Sequence, residues 1–218
     1  MIVDKFYNSE FDAENVLKLN FPLSFVRDFN SLLINSQVFK RLASISPPWK
    51  SDISWLSPNS LEDFKIFNKL FDQFNANKLL KEALNLEFDL ILYCGFLVVR
   101  SRCEAIDFHT DWRGLGLKAF TLITPLVEQG DDLGLVYRKS NSSIGNYYYK
   151  PGEAIIFGSD FIHSTMPSKS KRKIILLSFT FGINDMNYFP LIDKCIGSQS
   201  NLYRLPNGDF RIRNLDIC

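Results

Sequence analysis

The sequence predicts a mainly β protein, a β-sandwich or closed barrel with helices in its N-terminal third. Two patterns support this prediction. Short runs rich in β-branched and aromatic residues follow one another from Leu86 to about residue 183, with turn residues between them. A helical repeat of large apolar residues precedes these runs, and no helical pattern interrupts them, which favours a sandwich or barrel over a parallel α/β sheet.

The chain has 218 residues, enough for one substantial core, and we expect a single domain over 1–218. It divides into a mostly helical part (1–85), a β core (86–183) and a C-terminal extension (184–218) that no pattern assigns. Hydrophobic residues make up 46% and charged residues 22%, which is typical of a globular protein.

Charge and cysteine content narrow the function classes. The formal charge is +1, so nucleic acid is not an expected partner. No apolar run is long enough for a signal peptide or a membrane span, so we expect a cytoplasmic protein without a membrane partner. Cys94, Cys103, Cys195 and Cys218 show no C-x-x-C spacing, which favours buried or incidental thiols over a metal knuckle or redox motif.

The N-terminal part contains one strong helix signal. In "SLEDFKIFNKLFDQF" large apolar residues recur at three- and four-residue steps and form one stripe facing the core. The stripe consists of Leu61, Phe64, Phe67, Phe71 and Phe74. Ser60 with Asp63 resembles a capping box at its start. Shorter helices are predicted in "LSFVRDFNSLLI" and "KLLKEALN", and "SPPWKS" is predicted to be a loop.

Six runs in the β core are predicted to be strands: "LILYCGFLVV", "KAFTLITPLV", "LGLVYR", "NYYYK", "EAIIFG" and "KIILLSFTFG". The segments "EQGDD", "SNSSIGN", "KPGE" and "GSD" lie between them as turns. Tyr147, Tyr148 and Tyr149 in the fourth run are expected to serve strand packing.

The chain contains only two histidines, and both have informative neighbours. His109 lies in "DFHTDWRG", two residues before Asp111, and on a strand such residues point to the same face. His163 follows the strand-turn "EAIIFGSDFIH". Two histidines and one carboxylate on one face of a metal, with the other positions open, form the facial triad of non-haem Fe(II) oxygenases.

This order of motifs resembles the Fe(II)/2-oxoglutarate-dependent dioxygenases, most closely their phytanoyl-CoA and prolyl hydroxylase-like branches. The resemblance rests on H-x-D, about fifty residues of strands and turns, "PGEAIIFGSDFIHS" and a following basic residue, and it covers 86–183. It implies a double-stranded β-helix, or jelly-roll, core buttressed by the N-terminal helices. It also implies that His109, Asp111 and His163 are the iron ligands.

The resemblance further implies a basic residue that pairs with the distal carboxylate of 2-oxoglutarate. Arg172, nine residues after His163, is the first candidate because a guanidinium can hold a carboxylate through two parallel hydrogen bonds. Lys173 is the alternative, since neighbouring residues of a strand face opposite sides. Lys169 and Lys171 are expected in a solvated basic turn.

The chemistry that the resemblance implies uses Fe(II), 2-oxoglutarate and O2. The co-substrate is decarboxylated to succinate and CO2 while a substrate C–H bond is oxidised, with hydroxylation as the default outcome. Asp111 argues against halogenation, because halogenating members have a small residue at that position; desaturation and ring closure stay open.

Other residues are weaker candidates for contact with substrate or co-substrate. Trp112 and Arg113 could form part of a lid, or lie on the surface. Arg100 and Arg102 could hold a carboxylate of substrate or co-substrate, or form surface ion pairs.

Tyr93, Thr121 and Ser178 could hydrogen-bond the co-substrate, although satisfied hydroxyls in a barrel wall are the simpler reading. The preferred substrate is a small molecule such as an amino acid or a natural-product intermediate, with a peptide or protein side chain second. A non-catalytic jelly-roll binding protein and a zinc hydrolase are the alternatives of other classes.

Overall fold

The computed structural model describes residues 7–34, 37–47, 52–100, 103–126, 133–168, 174–196 and 198–213. Its strands are β1 (Tyr7–Asn8), β2 (Ala13–Glu14), β3 (Val16–Asn20), β4 (Ala43–Ile45), β5 (Ile53–Ser57), β6 (Leu90–Arg100), β7 (Ala119–Pro125), β8 (Gly134–Arg138), β9 (Ile144–Tyr148), β10 (Glu153–Phe157), β11 (His163–Thr165), β12 (Ile174–Ile183), β13 (Leu202–Arg204) and β14 (Phe210–Ile212).

The helices are α1 (Leu23–Phe29), α2 (Gln37–Arg41), α3 (Leu61–Gln73), α4 (Ala76–Leu84) and α5 (Phe189–Ile196). A π-helical turn covers Asn30–Ile34, and 3₁₀ turns cover Gly116–Lys118 and Met186–Tyr188. No helix in these described ranges combines the length and the apolar character needed to cross a membrane.

Two antiparallel sheets form the core. The large sheet has seven strands in the order β3-β10-β7-β12-β6-β5-β4. The small sheet has three, in the order β11-β8-β9. Two isolated bridges, Cys103 with Ser168 and His109 with His163, add the segment 103–109 to the free edge of β11.

The chain alternates between these sheets in the manner of a double-stranded β-helix. From β6 in the large sheet it passes to 103–109 at the edge of the small sheet, and then to β7, back in the large one. Strands β8 and β9 belong to the small sheet, β10 to the large, β11 to the small and β12 to the large. The predicted jelly-roll core is therefore confirmed, and each of the six predicted runs contains a strand.

Both faces of the large sheet are buried, which explains the nearly continuous apolar runs of its central strands. Ile155, Phe157 and Leu176 face the small sheet and form one cluster with its side chains. Ile156 and Leu177, on the opposite face, pack against the N-terminal helices. The period of two along each strand therefore divides its residues between two cores.

The aromatic stripe of α3 faces the large sheet as predicted, with one exception. Phe64, Phe67, Phe71 and Phe74 are buried in the helical cluster, whereas Leu61 at the first turn is exposed. The predicted N-cap is confirmed, because the Asp63 amide donates to the Ser60 hydroxyl oxygen at 3.2 Å. The two shorter predicted helices also form, as α1 with the π-helical turn and as α4.

The N-terminal part also supplies strands that the prediction did not contain. β3 pairs with β10 at one edge of the large sheet, and the β4–β5 hairpin extends the other edge beyond β6. These strands span three to five residues, too short for their alternation to stand out. The predicted turns at 46–51 and 128–132 fall largely outside the described residues.

The C-terminal extension, which the sequence left unassigned, packs against the core. Helix α5 contributes Phe189, Ile192 and Ile196 to a cluster that also contains Trp55 and Trp112. Strands β13 and β14 form a hairpin, and Tyr203 of β13 is fully buried in the same cluster. The extension is thus part of the folded body at the end of the core that carries H-x-D.

We expect Phe67→Ala to destabilise the fold strongly. Phe67 is 0% exposed, and truncating a buried phenylalanine costs about 3–5 kcal/mol. Leu61→Ala is the matched control, because Leu61 is on the same helix but 45% exposed, and such surface changes stay within about 0.5 kcal/mol. Chemical denaturation measures both free energies of unfolding. Equal losses in the two variants would contradict the packing of α3 described above.

Candidate metal centre

The two histidines face each other across the edge of the small sheet. The His109 amide donates to the His163 carbonyl at 2.9 Å, and the His163 amide donates to the His109 carbonyl at 3.0 Å. A reciprocal pair of this kind is the hydrogen-bonded pairing of antiparallel strands, which fixes the spacing between the two backbones. The imidazole centroids are 4.7 Å apart. Two residues 54 positions apart in the chain are therefore adjacent in space.

Backbone carbonyls fix the orientation of both imidazole rings. Nδ1 of His109 lies 2.8 Å from the carbonyl oxygen of Asp107, and Nδ1 of His163 lies 3.0 Å from that of Phe161. A carbonyl can only accept, so each Nδ1 carries a proton, and Nε2 is the nitrogen whose lone pair is available in the neutral ring. This arrangement is typical of metal-binding histidines, whose second nitrogen donates to a carbonyl or carboxylate.

Asp111 completes the cluster. Its Oδ1 atom lies 3.6 Å from Nε2 of His109 and 3.8 Å from Nε2 of His163. The prediction that His109 and Asp111 share a strand face is wrong, because His109 makes a single bridge and Asp111 lies in a bend. The chain turns directly after Asp111, and Gly114 and Gly116 adopt the positive φ values that glycine tolerates. Tertiary contacts bring the carboxylate to the imidazoles instead.

His163 is the most deeply placed of the three residues. Its ring lies against Phe157 and Phe161, with centroid distances of 4.5 and 5.3 Å. Burial lowers the pKa of His163 below that of an ordinary histidine, and the nearby His109 acts in the same direction, although the Asp111 carboxylate opposes both. The neutral imidazole is the form that binds metals.

Together the three side chains can hold one cation. One ligand atom from each of His109, Asp111 and His163 lies within 4.8 Å of the others. Two imidazole nitrogens and one carboxylate oxygen are the donor set that Fe(II) takes in facial-triad oxygenases, with further positions left for small ligands.

The cluster lies in a cavity of about 340 Å³ between the two sheets. This volume is at the small end of the range of about 300–1,000 Å³ typical of small-molecule sites. The large sheet forms one wall, to which β7, β12 and β6 contribute alternate residues. These residues are Thr121, Ile123, Leu176, Ser178, Phe96, Val98 and Arg100. Leu135, Tyr149, His163 and Thr165 form the opposite wall.

Several residues predicted for co-substrate or substrate contact lie in the described part of the chain. Ser178 is buried and lines the cavity. Arg100 lines it too, and its Nε atom donates to Asp52 at 2.8 Å. Tyr93 does not line the cavity, because its hydroxyl donates to the carbonyl of Ile183 at 2.6 Å within the C-terminal cluster. Thr121 lines the cavity but donates to Asp111.

Trp112 is neither a lid nor a surface residue. Its side chain is 1% exposed and packs in the same cluster as α5. Arg113, its neighbour, is exposed and does not line the cavity. Arg102, Arg172 and Lys173 lie outside the described residues, as do Lys169 and Lys171.

Sequence reasoning missed several residues that line the cavity. Tyr149, which follows β9 and is predicted to serve strand packing, also lines the cavity that contains the metal cluster. Ile53 and Trp55 come from the unpredicted β5, whose five residues are too few for an alternation to stand out. Ser198 and Gln199, just after α5, carry no local signal.

Known structures share this fold. An oxidoreductase of the 2OG-Fe(II) oxygenase family from Burkholderia pseudomallei superposes with a TM-score of 0.60 at 13% identity, covering 77% of this chain and 84% of that one. HygX from Streptomyces hygroscopicus, with nickel and 2-oxoglutarate bound, has a TM-score of 0.60 at 14% identity, covering 82% and 88%. A prolyl-4-hydroxylase from Pseudomonas putida has a TM-score of 0.55 at 16% identity, covering 78% and 92%.

At the level of sequence, no protein-family model and no curated protein matches the chain. At such low sequence identities, the similarity between this chain and these structures is a similarity of fold. The chain therefore has the double-stranded β-helix fold found in the structures of 2-oxoglutarate- and Fe(II)-dependent oxygenases.

Proposed function

We propose that this protein is an Fe(II)- and 2-oxoglutarate-dependent oxygenase that hydroxylates a C–H bond of a small molecule. One observation carries the proposal: Nε2 of His109, Nε2 of His163 and Oδ1 of Asp111 converge inside the cavity of a double-stranded β-helix. The fold supports it, because structural relatives include HygX with nickel and 2-oxoglutarate bound and the epimerase SnoN with Fe3+ and alpha ketoglutarate.

In this proposal the three residues hold the iron and leave its remaining positions to co-substrate and oxygen. Bound Fe(II) supplies the redox chemistry that couples decarboxylation of 2-oxoglutarate to oxidation of the substrate. The chain's own contribution is to orient both imidazoles through the Asp107 and Phe161 carbonyls, and to surround the reaction with largely apolar walls. The site contains no third histidine to act as a general base, which favours oxidation over metal-assisted hydrolysis.

Arg172 is our proposed partner for the distal carboxylate of 2-oxoglutarate. Ser178 and Leu176 line the cavity, and Ile174 belongs to the cluster between the two sheets. Counting back by two from Ser178 through these residues leads to Arg172 in the sequence, whereas Lys173 has the opposite parity. Arg100 is opposite Ile174 in the β12–β6 pairing. This end of the cavity therefore already contains one guanidinium group, which donates to Asp52.

A small molecule is the proposed substrate because of the size and boundaries of the cavity. Pro47, Ile53 and Trp55 offer an apolar border, and Ser198 and Gln199 add uncharged polar groups. Structural relatives support this class, since one HygX structure contains hygromycin B and a SnoN structure contains nogalamycin RO. A prolyl-4-hydroxylase is also among them, so a peptide side chain is the alternative substrate.

We expect His109→Ala to abolish activity. Iron-loaded protein given 2-oxoglutarate and O2 should form succinate, whereas the variant should fall to the level of metal-free protein because one of three donors is lost. The His109 side chain is 47% exposed, so its removal leaves the core intact, and thermal unfolding checks this. Leu61→Ala is the control and should retain activity. Failure of the parent protein to bind Fe(II) or to form succinate, with or without candidate substrates, would contradict the proposal.

Arg172→Gln and Lys173→Gln form a matched pair for the carboxylate partner. Losing a charged hydrogen-bonding partner costs about 1.5–3 kcal/mol, so Arg172→Gln should raise the KM for 2-oxoglutarate about 10- to 100-fold. Lys173→Gln should leave it close to that of the parent. Steady-state measurement of succinate against 2-oxoglutarate concentration provides both values, and the reverse ranking would assign the role to Lys173.

The substrate class can be tested by the coupling of 2-oxoglutarate consumption to added compounds. Small polar molecules, including amino acids and glycosides, should accelerate consumption and gain one oxygen atom, detectable by mass spectrometry. Proline-containing peptides provide the comparison. Acceleration by the peptides alone would replace the small-molecule proposal with the peptide one.

A further inference from the structure

We infer that Thr121 and Trp112 are positioning residues that hold Asp111 so that it binds a metal through one carboxylate oxygen only. This inference rests on the proposed function. The sequence offered different roles for both, a co-substrate contact for Thr121 and a lid for Trp112. The structure instead brings them together behind the carboxylate, on the side away from the two histidines.

Three side chains form a hydrogen-bonded series whose direction is fixed. Nε1 of Trp112 donates to Oγ1 of Thr121 at 2.9 Å, and Oγ1 of Thr121 donates to Oδ2 of Asp111 at 2.9 Å. An indole nitrogen can only donate, so the threonine oxygen accepts there and its single proton goes to the carboxylate. Oδ2 of Asp111 is therefore the acceptor at the end of the series.

The two supporting residues are themselves immobilised by the core. Trp112 and Thr121 are 1% and 3% exposed, so water does not compete for their hydrogen bonds. Thr121 lies on β7, where it pairs with Phe157 of β10 on one side and Thr180 of β12 on the other. Trp112 packs in the C-terminal cluster with α5. Asp111 lies in a bend, yet its carboxylate is positioned by a central strand.

This support decides which oxygen faces the metal site. Oδ1 lies 3.6 and 3.8 Å from the two Nε2 atoms, whereas Oδ2 is occupied by the Thr121 hydroxyl. A carboxylate that used both oxygens would take an additional position on a cation. Holding Oδ2 back keeps that position for other ligands, which is the property that a facial triad needs.

The test uses Co²⁺ as the probe, under anaerobic conditions, with parent protein and three valine or serine variants. Thr121→Val removes the donor to Oδ2, and loss of such a partner typically weakens metal binding about 10- to 100-fold. Thr121→Ser keeps the hydroxyl and should bind close to the parent. Thr124→Val is the matched control, because Thr124 is on the same strand and its buried hydroxyl donates to the Glu153 carbonyl at 2.9 Å, away from the site.

Calorimetry measures the Co²⁺ affinity, and the d–d absorption of bound Co²⁺ reports its coordination number. We expect weaker binding and an altered spectrum in Thr121→Val, with both restored in Thr121→Ser and unchanged in Thr124→Val. Thermal unfolding separates these effects from lost stability, which Thr121→Val and Thr124→Val should share. Trp112→Phe should weaken binding less than Thr121→Val, because the threonine keeps its proton but loses its fixed rotamer.

The outcomes separate this inference from the proposed function. Parental affinity and spectrum in Thr121→Val, with a parent protein that binds Co²⁺, would overturn the positioning role and leave the oxygenase proposal standing. Equal weakening in Thr121→Val and Thr124→Val would overturn it as well, because the loss would then reflect general destabilisation. A parent protein that binds neither Co²⁺ nor Fe²⁺ would overturn both.

Discussion

The reciprocal backbone hydrogen bonds between His109 and His163 are the constraint on which the site depends. They measure 2.9 and 3.0 Å and attach the irregular segment 103–109 to β11. The Cys103–Ser168 bridge anchors the beginning of the same segment, so the chain leaving β6 is fixed at both ends along the edge of the small sheet. Across the His109–His163 bridge, the imidazoles project from neighbouring backbones at a spacing that one cation can span. This bridge thus places two residues that are distant in the sequence side by side in the structure.

The large sheet, which forms the other wall of the cavity, has side chains packed against both of its faces. The aromatic side chains of α3 pack against its outer face, where Phe71 lies 5.4 Å from Phe179 and 4.9 Å from Phe181, measured between centroids. Gly95 of β6 permits this close approach, since a Cβ atom there would lie 2.7 Å from Cδ1 of Phe67. The inner face is consequently free to carry polar groups such as Thr121 and Ser178 into the cavity.

Sequence reasoning recovered what depends on local periodicity and on a motif. The six central strands were predictable because their residues are buried, and the α3 stripe because its phenylalanines follow the helical repeat. The convergence of His109, Asp111 and His163 was implied by the resemblance of their motifs to those of the 2-oxoglutarate-dependent dioxygenases. The bend at Asp111 and the short strand β5 were not predicted, because tertiary contacts, and not local preference, determine them.

Roles that depend on hydrogen-bond partners were beyond the sequence for the same reason. Nothing near Thr121 or Trp112 in the sequence indicates that their side chains will meet, since the two residues are nine positions apart and only Thr121 lies in a strand. Tyr93 and Tyr149 show that two buried tyrosines can also make different contacts. Both are buried tyrosines at or near strand ends, yet one donates to a backbone carbonyl and the other lines the cavity.

The three residues of the cluster differ in their exposure to solvent and in the contacts that hold them. The side chains of His163, Asp111 and His109 are 5%, 20% and 47% exposed. His163 packs against two phenylalanine rings, Asp111 accepts from the Thr121 hydroxyl, and His109 is held by backbone hydrogen bonds and lies beside the His163 ring. Exposure therefore decreases from His109 to His163, so a molecule arriving from solvent meets His109 first.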